Sequence, residues 1–238
     1  MSADPPRDDP GIANLILRAL PRDEYQRILP YLQTTPLRPG QALYEPNDAI
    51  RFAYFPNSGM VSLVATMNDG TTVEIGITGR EGFVGTPILL GFRVGAFRAV
   101  VQLAGEALQI ESGTLQKLLP RMPRLDCILR RYIYAEFTQL GQSAACNRLH
   151  ELGPRLSRWL LASRDCARSN VFSITQDFLG QMLGCCRPSV TEAANSLQKA
   201  GLISYSRGRV QIVNRRGLEA AACECYENMK RYARAVLE

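Results

Sequence analysis

Four polar side chains crowd the start of one helical pattern late in the chain. Arg187, Ser189, Thr191 and Glu192 fall on its outward side, while Val190, Ala194 and Leu197 recur at i, i+4 and i+7 and pack it inward. Donors and acceptors massed at a helix N-terminus are placed to meet base edges, if that end enters a groove. Arg207 and Arg209, further on, stand where a tight turn presents them to phosphates. A thiol offers different chemistry. Cys186 takes the N-cap position, where serine is preferred, and a cysteine at a helix N-terminus beside Arg187 is expected to ionise more readily than usual. It is a redox candidate, with a weak structural cap as the plain alternative. The single histidine, His150, falls away from these groups and reads as structural.

The elements that must position these groups are legible around them. Thr175 caps a helix with Asp177 in its first turn, Leu179, Met182 and Leu183 give it an apolar face, and Gly184 stops it. The second helix opens at Arg187-Pro188, where a proline's missing N–H costs nothing. Two short helices about a tight turn make a helix–turn–helix, whose second helix enters the major groove. Leu202–Tyr205 and Val210–Val213 then read as two strands about Ser206-Arg-Gly208, a wing. Charge agrees: from Glu151 onward there are 13 Lys/Arg against 8 Asp/Glu, compared with 15 and 14 before it. The basic excess sits where phosphates would be met.

Upstream the character differs. After a Pro/Asp-rich lead-in over 1–11, expected to be disordered, helices are predicted for Ile12–Leu20 and Asp23–Leu32. Strands follow at Gln41–Glu45, Phe52–Phe55, Met60–Met67, Thr71–Ile77, Arg98–Leu103 and Glu106–Ile110, with Asn68-Asp69-Gly70 as a hairpin turn. Such strands suggest an antiparallel jelly roll or barrel. A short helix, Ser112–Leu119, precedes a long one from about Arg124 to Leu149. Its apolar stripe needs cover, and a second copy is the simplest cover. Leu125, Ile128, Tyr132 and Ala135 are the expected dimer contacts. Gly153-Pro154 is expected to break the helix, and a new one, Arg155–Ala162, carries the only tryptophan, Trp159, as core.

The expected fold is therefore α+β, in four parts: the lead-in, a sensor barrel over 12–120, a dimerisation helix over 121–150, and a winged helix–turn–helix over 151–238. In the 238 residues, 46% are hydrophobic and 21% charged, an ordinary globular balance. No run approaches the roughly 20 apolar residues that span a bilayer, so a cytoplasmic protein without a membrane partner is expected. The seven cysteines, all in the second half, do not make a secreted disulfide framework.

The chain resembles the CRP/FNR superfamily of bacterial transcription regulators over nearly its whole length from Ile12. The resemblance rests on Ile174-Thr-Gln…Leu-Gly184-Cys-Cys-Arg-Pro-Ser-Val190…Leu197…Gly201-Leu-Ile, on Gly82-Phe-Val-Gly85, and on Cys146-Asn-Arg-Leu-His150…Arg155-Leu-Ser-Arg-Trp159. It implies a homodimer that reads two-fold symmetric double-stranded DNA and works with RNA polymerase, not an enzyme. By resemblance Arg187 pairs with guanine, with Thr191 and Glu192 beside it at the bases, while Gln176 and Ser189 hold phosphates. Pro188 stands where many members have a base-reading Glu, and Glu192 where many have a second Arg, so the familiar half-site is not expected.

The same resemblance makes Glu81-Gly-Phe-Val-Gly85-Thr86 similar to the family's phosphate-binding cassette, with Gly85, Thr86 and Arg98 as effector-pocket candidates. Members that bind cyclic AMP carry a Glu in place of Thr86 and an Arg-Ser or Arg-Thr pair some ten residues on. Arg93–Ala99 lacks that pair, so a response to cyclic AMP is not expected, and a cyclic-nucleotide-dependent regulator is the alternative. An iron–sulfur cluster of the family's kind needs N-terminal cysteines, and none precedes Cys127. A cupin-like enzyme, the rival of another class, needs histidine ligands that the barrel lacks. No cofactor and no metal are expected, and Cys223 and Cys225, placed in the last helix, read as structural or incidental.

Overall fold

A computed structural model describes residues 11–237; the expected lead-in lies, except for Gly11, outside them. Helices α1 (Leu15–Arg18) and α2 (Arg22–Ile28) open the described chain and are shorter than the sequence suggests. Asn14 caps α1, its side chain accepting from the amides of Ile16 and Leu17, while Pro30 turns the end of α2 into a 3-10 turn. Strands β1 (Gln33–Leu37), β2 (Ala42–Tyr44), β3 (Phe52–Pro56), β4 (Met60–Thr66) and β5 (Thr72–Thr78) follow. A single helical turn, α3 (Thr86–Leu89), precedes β6 (Arg98–Leu103) and β7 (Gly105–Glu111).

These strands form two antiparallel sheets, ordered β1-β7-β3 and β2-β6-β4-β5. The β4–β5 hairpin turns at Asn68-Asp69-Gly70, as its sequence predicts, with Asp69 accepting the amide of Thr71 and Gly70 at φ +83°. Side chains from both sheets, among them Ala53, Phe55, Val61, Ala99, Val101 and Ala107, share one core.

After α4 (Ser112–Leu118), the long helix α5 runs from Pro123 to Leu149. It lies against its own barrel, and this corrects the expected dimer contacts. Leu125, Ile128, Tyr132 and Ala135 are all buried in the barrel core of the same chain. The Tyr132 hydroxyl stands 3.0 Å from Oγ1 of Thr78. The strongest apolar stripe of α5 is thus spent within the chain. A different stripe stays open: Tyr134 and Phe137 are 70% and 71% exposed, with Gly141, Ala144 and Arg148 continuing the same side.

The helix breaks at His150-Glu151 rather than at Gly153-Pro154. Pro154 falls inside the first turn of α6 (Leu152–Ala167), where its ring is tolerated. Then come β8 (Val171–Ser173), α7 (Gln176–Leu183), α8 (Arg187–Lys199), β9 (Ile203–Ser206), β10 (Arg209–Ile212), α9 (Arg215–Ala221) and α10 (Cys225–Ala235). Strands β8, β10 and β9 form a small antiparallel sheet. Cys225 opens α10, whereas Cys223 lies before it, outside the helix that the sequence predicts for both.

The C-terminal domain docks on the barrel. Its core, with Trp159 fully buried, joins barrel residues Met60, Val64, Ile77, Val100 and Leu103. At the contact, Glu74 accepts from Trp159 Nε1 at 2.9 Å and from the Ser62 hydroxyl at 2.5 Å. Burial pushes this carboxyl up to about 7 against those hydrogen bonds and the nearby Arg158. Nε2 of Gln102 meets the Met182 sulfur at 3.2 Å.

Candidate nucleic-acid interface and effector pocket

Local chemistry sets the two helices of the helix–turn–helix. Oγ1 of Thr175 accepts the Phe178 amide at 3.2 Å and starts α7, and Gly184, at φ +61°, ends it. A Cβ on Gly180 would stand 2.8 Å from the Cys185 carbonyl oxygen. The turn therefore needs a second glycine, inside α7, besides the terminal Gly184. Val190, Ala194 and Leu197 are buried under α8 as their spacing predicts.

Of the groups singled out from sequence, Gln176, Arg187, Thr191 and Arg207 come together beside α8. Thr191 Oγ1 lies 2.7 Å from Gln176 Oε1 and 3.0 Å from the Arg187 carbonyl oxygen, so Gln176 braces the helix as well as facing outward. Arg187 lies 3.3 Å from Asp177, both side chains about two-thirds exposed. Such a pair is worth about 0–1 kcal/mol, so the guanidinium is released at little cost. A concavity of about 400 Å³ is lined by Thr175, Gln176, Asp177, Arg187, Tyr205 and Arg207, with Ser206 and Gly208. The Tyr205 hydroxyl donates to the Ile174 carbonyl at 2.8 Å and ties the wing to the start of α7. At the wing tip Arg207 and Gly208 both have positive φ, 49° and 73°, the signature of a two-residue I′ hairpin turn. Arg207, Arg209 and Glu192 are exposed.

Cys186 is the N-cap of α8, but its side chain makes no cap hydrogen bond. Its sulfur lies 3.1 Å from Ser189 Oγ, and hydrogen bonding from Ser189 holds the exposed thiol below its ordinary range. The cause is Ser189 rather than the Arg187 charge that the sequence suggests.

In the barrel, the glycines of the cassette-like segment answer to packing. A Cβ on Gly82 would come within 2.5 Å of the Tyr132 hydroxyl, and Gly85 sits at φ +123°. Thr86 opens α3 and donates to Glu136 of α5 at 2.6 Å. Both line a cavity of about 400 Å³ between barrel and helix, walled largely by Leu90, Phe92, Val94, Phe97, Ile133 and Leu140. Burial raises the Glu136 carboxyl to about 7 against the Thr86 hydrogen bond. Neither lysine nor arginine is among the described residues that line it. Arg98 does not reach it and instead lies 3.0 Å from Glu45, while Gly85 stands just outside the wall. Of the three effector candidates the cavity takes only Thr86, because β6 directs Arg98 toward the strand beside it.

Two family models match: a cyclic nucleotide-binding domain over residues 34–121 and a Crp-like helix-turn-helix domain over 154–221. Together they cover more than half of the chain, which belongs to the CRP/FNR family of transcription regulators, DNA-binding proteins and not enzymes. Solved structures share the fold. A putative CRP/FNR transcriptional regulator from Eubacterium rectale is 15% identical, with 87% of this chain and 97% of that one covered at a TM-score of 0.67. FixK2 from Bradyrhizobium japonicum is 13% identical, over 81% and 98%, at 0.65. The c-di-GMP responsive global regulator CLP of Xanthomonas campestris is 18% identical, over 80% and 98%, at 0.64. No curated protein matches by sequence. Among the described residues no helix is long and apolar enough to cross a membrane.

Proposed function

We propose that the chain is a cytoplasmic homodimer that reads a two-fold symmetric DNA site and engages RNA polymerase there, under an effector other than cyclic AMP. The observation that carries the DNA reading is the outward N-terminus of α8, with Arg187, Thr191 and Glu192 exposed or half-exposed beside Gln176 and the Arg207 wing tip. Arg187 reads a guanine, Thr191 and Glu192 flank it at the bases, and Gln176, Ser189, Arg207 and Arg209 hold the backbone. The open stripe of Tyr134, Phe137, Gly141 and Ala144 takes the second copy and sets two recognition helices for successive major grooves.

The effector reading rests on the cavity beside Thr86. A cyclic phosphate carries a negative charge, and this cavity offers it a buried carboxyl and no cation. Its walls suit an uncharged, largely apolar molecule. Binding there biases α5, which carries Glu136, and so the spacing of the DNA-binding domains. Cys186 adds a second input, since a depressed thiol at the mouth of the recognition helix would, once oxidised, crowd the DNA.

Selection of bound DNA from a random pool tests this reading with the purified, reduced protein, with cyclic AMP added, and after mild peroxide. A palindromic site enriched equally with and without cyclic AMP, and lost after peroxide in wild type but not in Cys186→Ser, is the expected result. Enrichment only with cyclic AMP overturns the effector reading. Equal peroxide sensitivity of the serine variant removes Cys186 from the switch.

A further inference from the structure

Outside both sites, four metal-binding side chains meet where the long helix ends. Cys146 lies in the last turn of α5, His150 is its C-cap, and Cys223 and Cys225 flank Glu224 at the start of α10. Their ligand atoms all lie within 4.8 Å of one another. The Cys146 and Cys223 sulfurs are 3.6 Å apart, and the Cys225 sulfur is 3.6 Å from His150 Nδ1. A zinc–sulfur bond of about 2.3 Å sets tetrahedral ligand atoms roughly 3.8 Å from each other. The chain thus holds three sulfurs and a nitrogen near the spacing that one tetrahedral ion imposes.

The surroundings are those of a ligand set. His150 turns Nδ1 inward while its Nε2 lies 3.2 Å from the Glu224 carboxylate, the outer partner that fixes the tautomer and orientation of a metal-bound imidazole. Gln142 Nε2 donates to the Cys225 sulfur at 3.0 Å. Cys146, Cys223 and Cys225 are buried and form a small cluster apart from the two larger apolar cores. Three thiolates around a divalent ion leave one negative charge. Arg158, buried with its Nε lacking a hydrogen bond, acts electrostatically on both Cys146 and Cys223.

We propose that Cys146, His150, Cys223 and Cys225 form a closed structural site for one Zn²⁺. Three sulfurs and an imidazole select zinc over the harder divalent cations, and with four protein ligands no position stays open for chemistry. On binding, the three thiols release their protons to solvent as the thiolates coordinate. Cys146 and His150 hold the hinge between α5 and α6, and Cys223 and Cys225 hold the start of α10, which packs on both helices. The ion therefore staples the last helix to the hinge that carries the DNA-binding domain.

The full chain, purified without chelator, is to be assayed for metal by elemental analysis and by release to a chromogenic chelator on thiol blocking. One zinc per chain is expected, and Co²⁺ exchanged for it should show the visible bands and thiolate charge-transfer of a tetrahedral, sulfur-rich site. Cys223→Ala with Cys225→Ala should lose the metal, while Cys127→Ala and Cys186→Ser keep one equivalent. Because the double variant could misfold, the cobalt spectrum of wild type decides independently. Wild type that takes up neither zinc nor cobalt overturns the proposal. So does a Cys146–Cys223 disulfide in the protein as purified, or iron with acid-labile sulfide at more than one iron per chain.

Discussion

At the scale of single residues, two buried carboxyls stand out, Glu74 and Glu136, each raised to about 7 chiefly by desolvation. Glu74 joins the barrel to the C-terminal domain through Trp159. A folded-state pKa above the unfolded value means that the folded chain binds the extra proton. The stabilisation is complete below the ordinary carboxyl range near 4.5 and is lost as pH rises through about 7. Glu74→Gln keeps an oxygen for Trp159 and does not ionise. Its melting temperature should match wild type near pH 4.5 and exceed it at pH 8, by about 2–4 °C for each kcal/mol involved. Scanning calorimetry across that range checks the sign. A variant less stable by the same amount at every pH would mean that folding does not raise the Glu74 carboxyl.

At the scale of elements, the long helix divides its surface between two neighbours. Leu125, Ile128 and Tyr132 serve the barrel, while Tyr134 and Phe137 face outward. Phe137→Asp sets a charge in the face proposed for the second copy and touches nothing in the chain's own core. Sedimentation should show the variant as a monomer with an unchanged circular dichroism spectrum, whereas a dimer of wild-type affinity would place the interface elsewhere. Much at this scale was legible in sequence. Turn residues bounded six of the strands, and Thr175, Gly184 and Pro188 marked the helix–turn–helix. Strand β1 escaped because Gln33-Thr-Thr-Pro-Leu37 is polar and holds a proline; it pairs with β7 more than sixty residues away. The helix's own periodicity shows which side is apolar but not which neighbour covers it, so the stripe that meets the barrel passed for the dimer seam. Cys146 and Cys223 meet only because α10 folds back on α5, a closure over 77 residues that no local spacing records. Beside α8 the framework of the proposed interface was readable, since a cap, a turn and the outward side of a helix are local. The cavity beside Thr86 was not, because Glu136 reaches it from a helix fifty residues on.

At the scale of the whole molecule, the recognition helix is fixed by α6 and α7, braced by Gln176, and linked to the barrel through Trp159 and Gln102. The cavity beside Thr86, the junction of α5 with α6 and the start of α8 are thus joined by packed elements, the kind of linkage that the proposed two-state shift requires. In the proposed function all of this serves one end, base reading by the start of α8. The most direct measurement is the ratio of specific to non-specific DNA affinity for Arg187→Ala against wild type, at one fixed salt concentration. Losing a guanine pair costs about 1–3 kcal/mol at each half-site, so the ratio should fall by roughly five- to 150-fold per half-site while non-specific binding changes little. A ratio equal to that of wild type would contradict sequence reading by this helix.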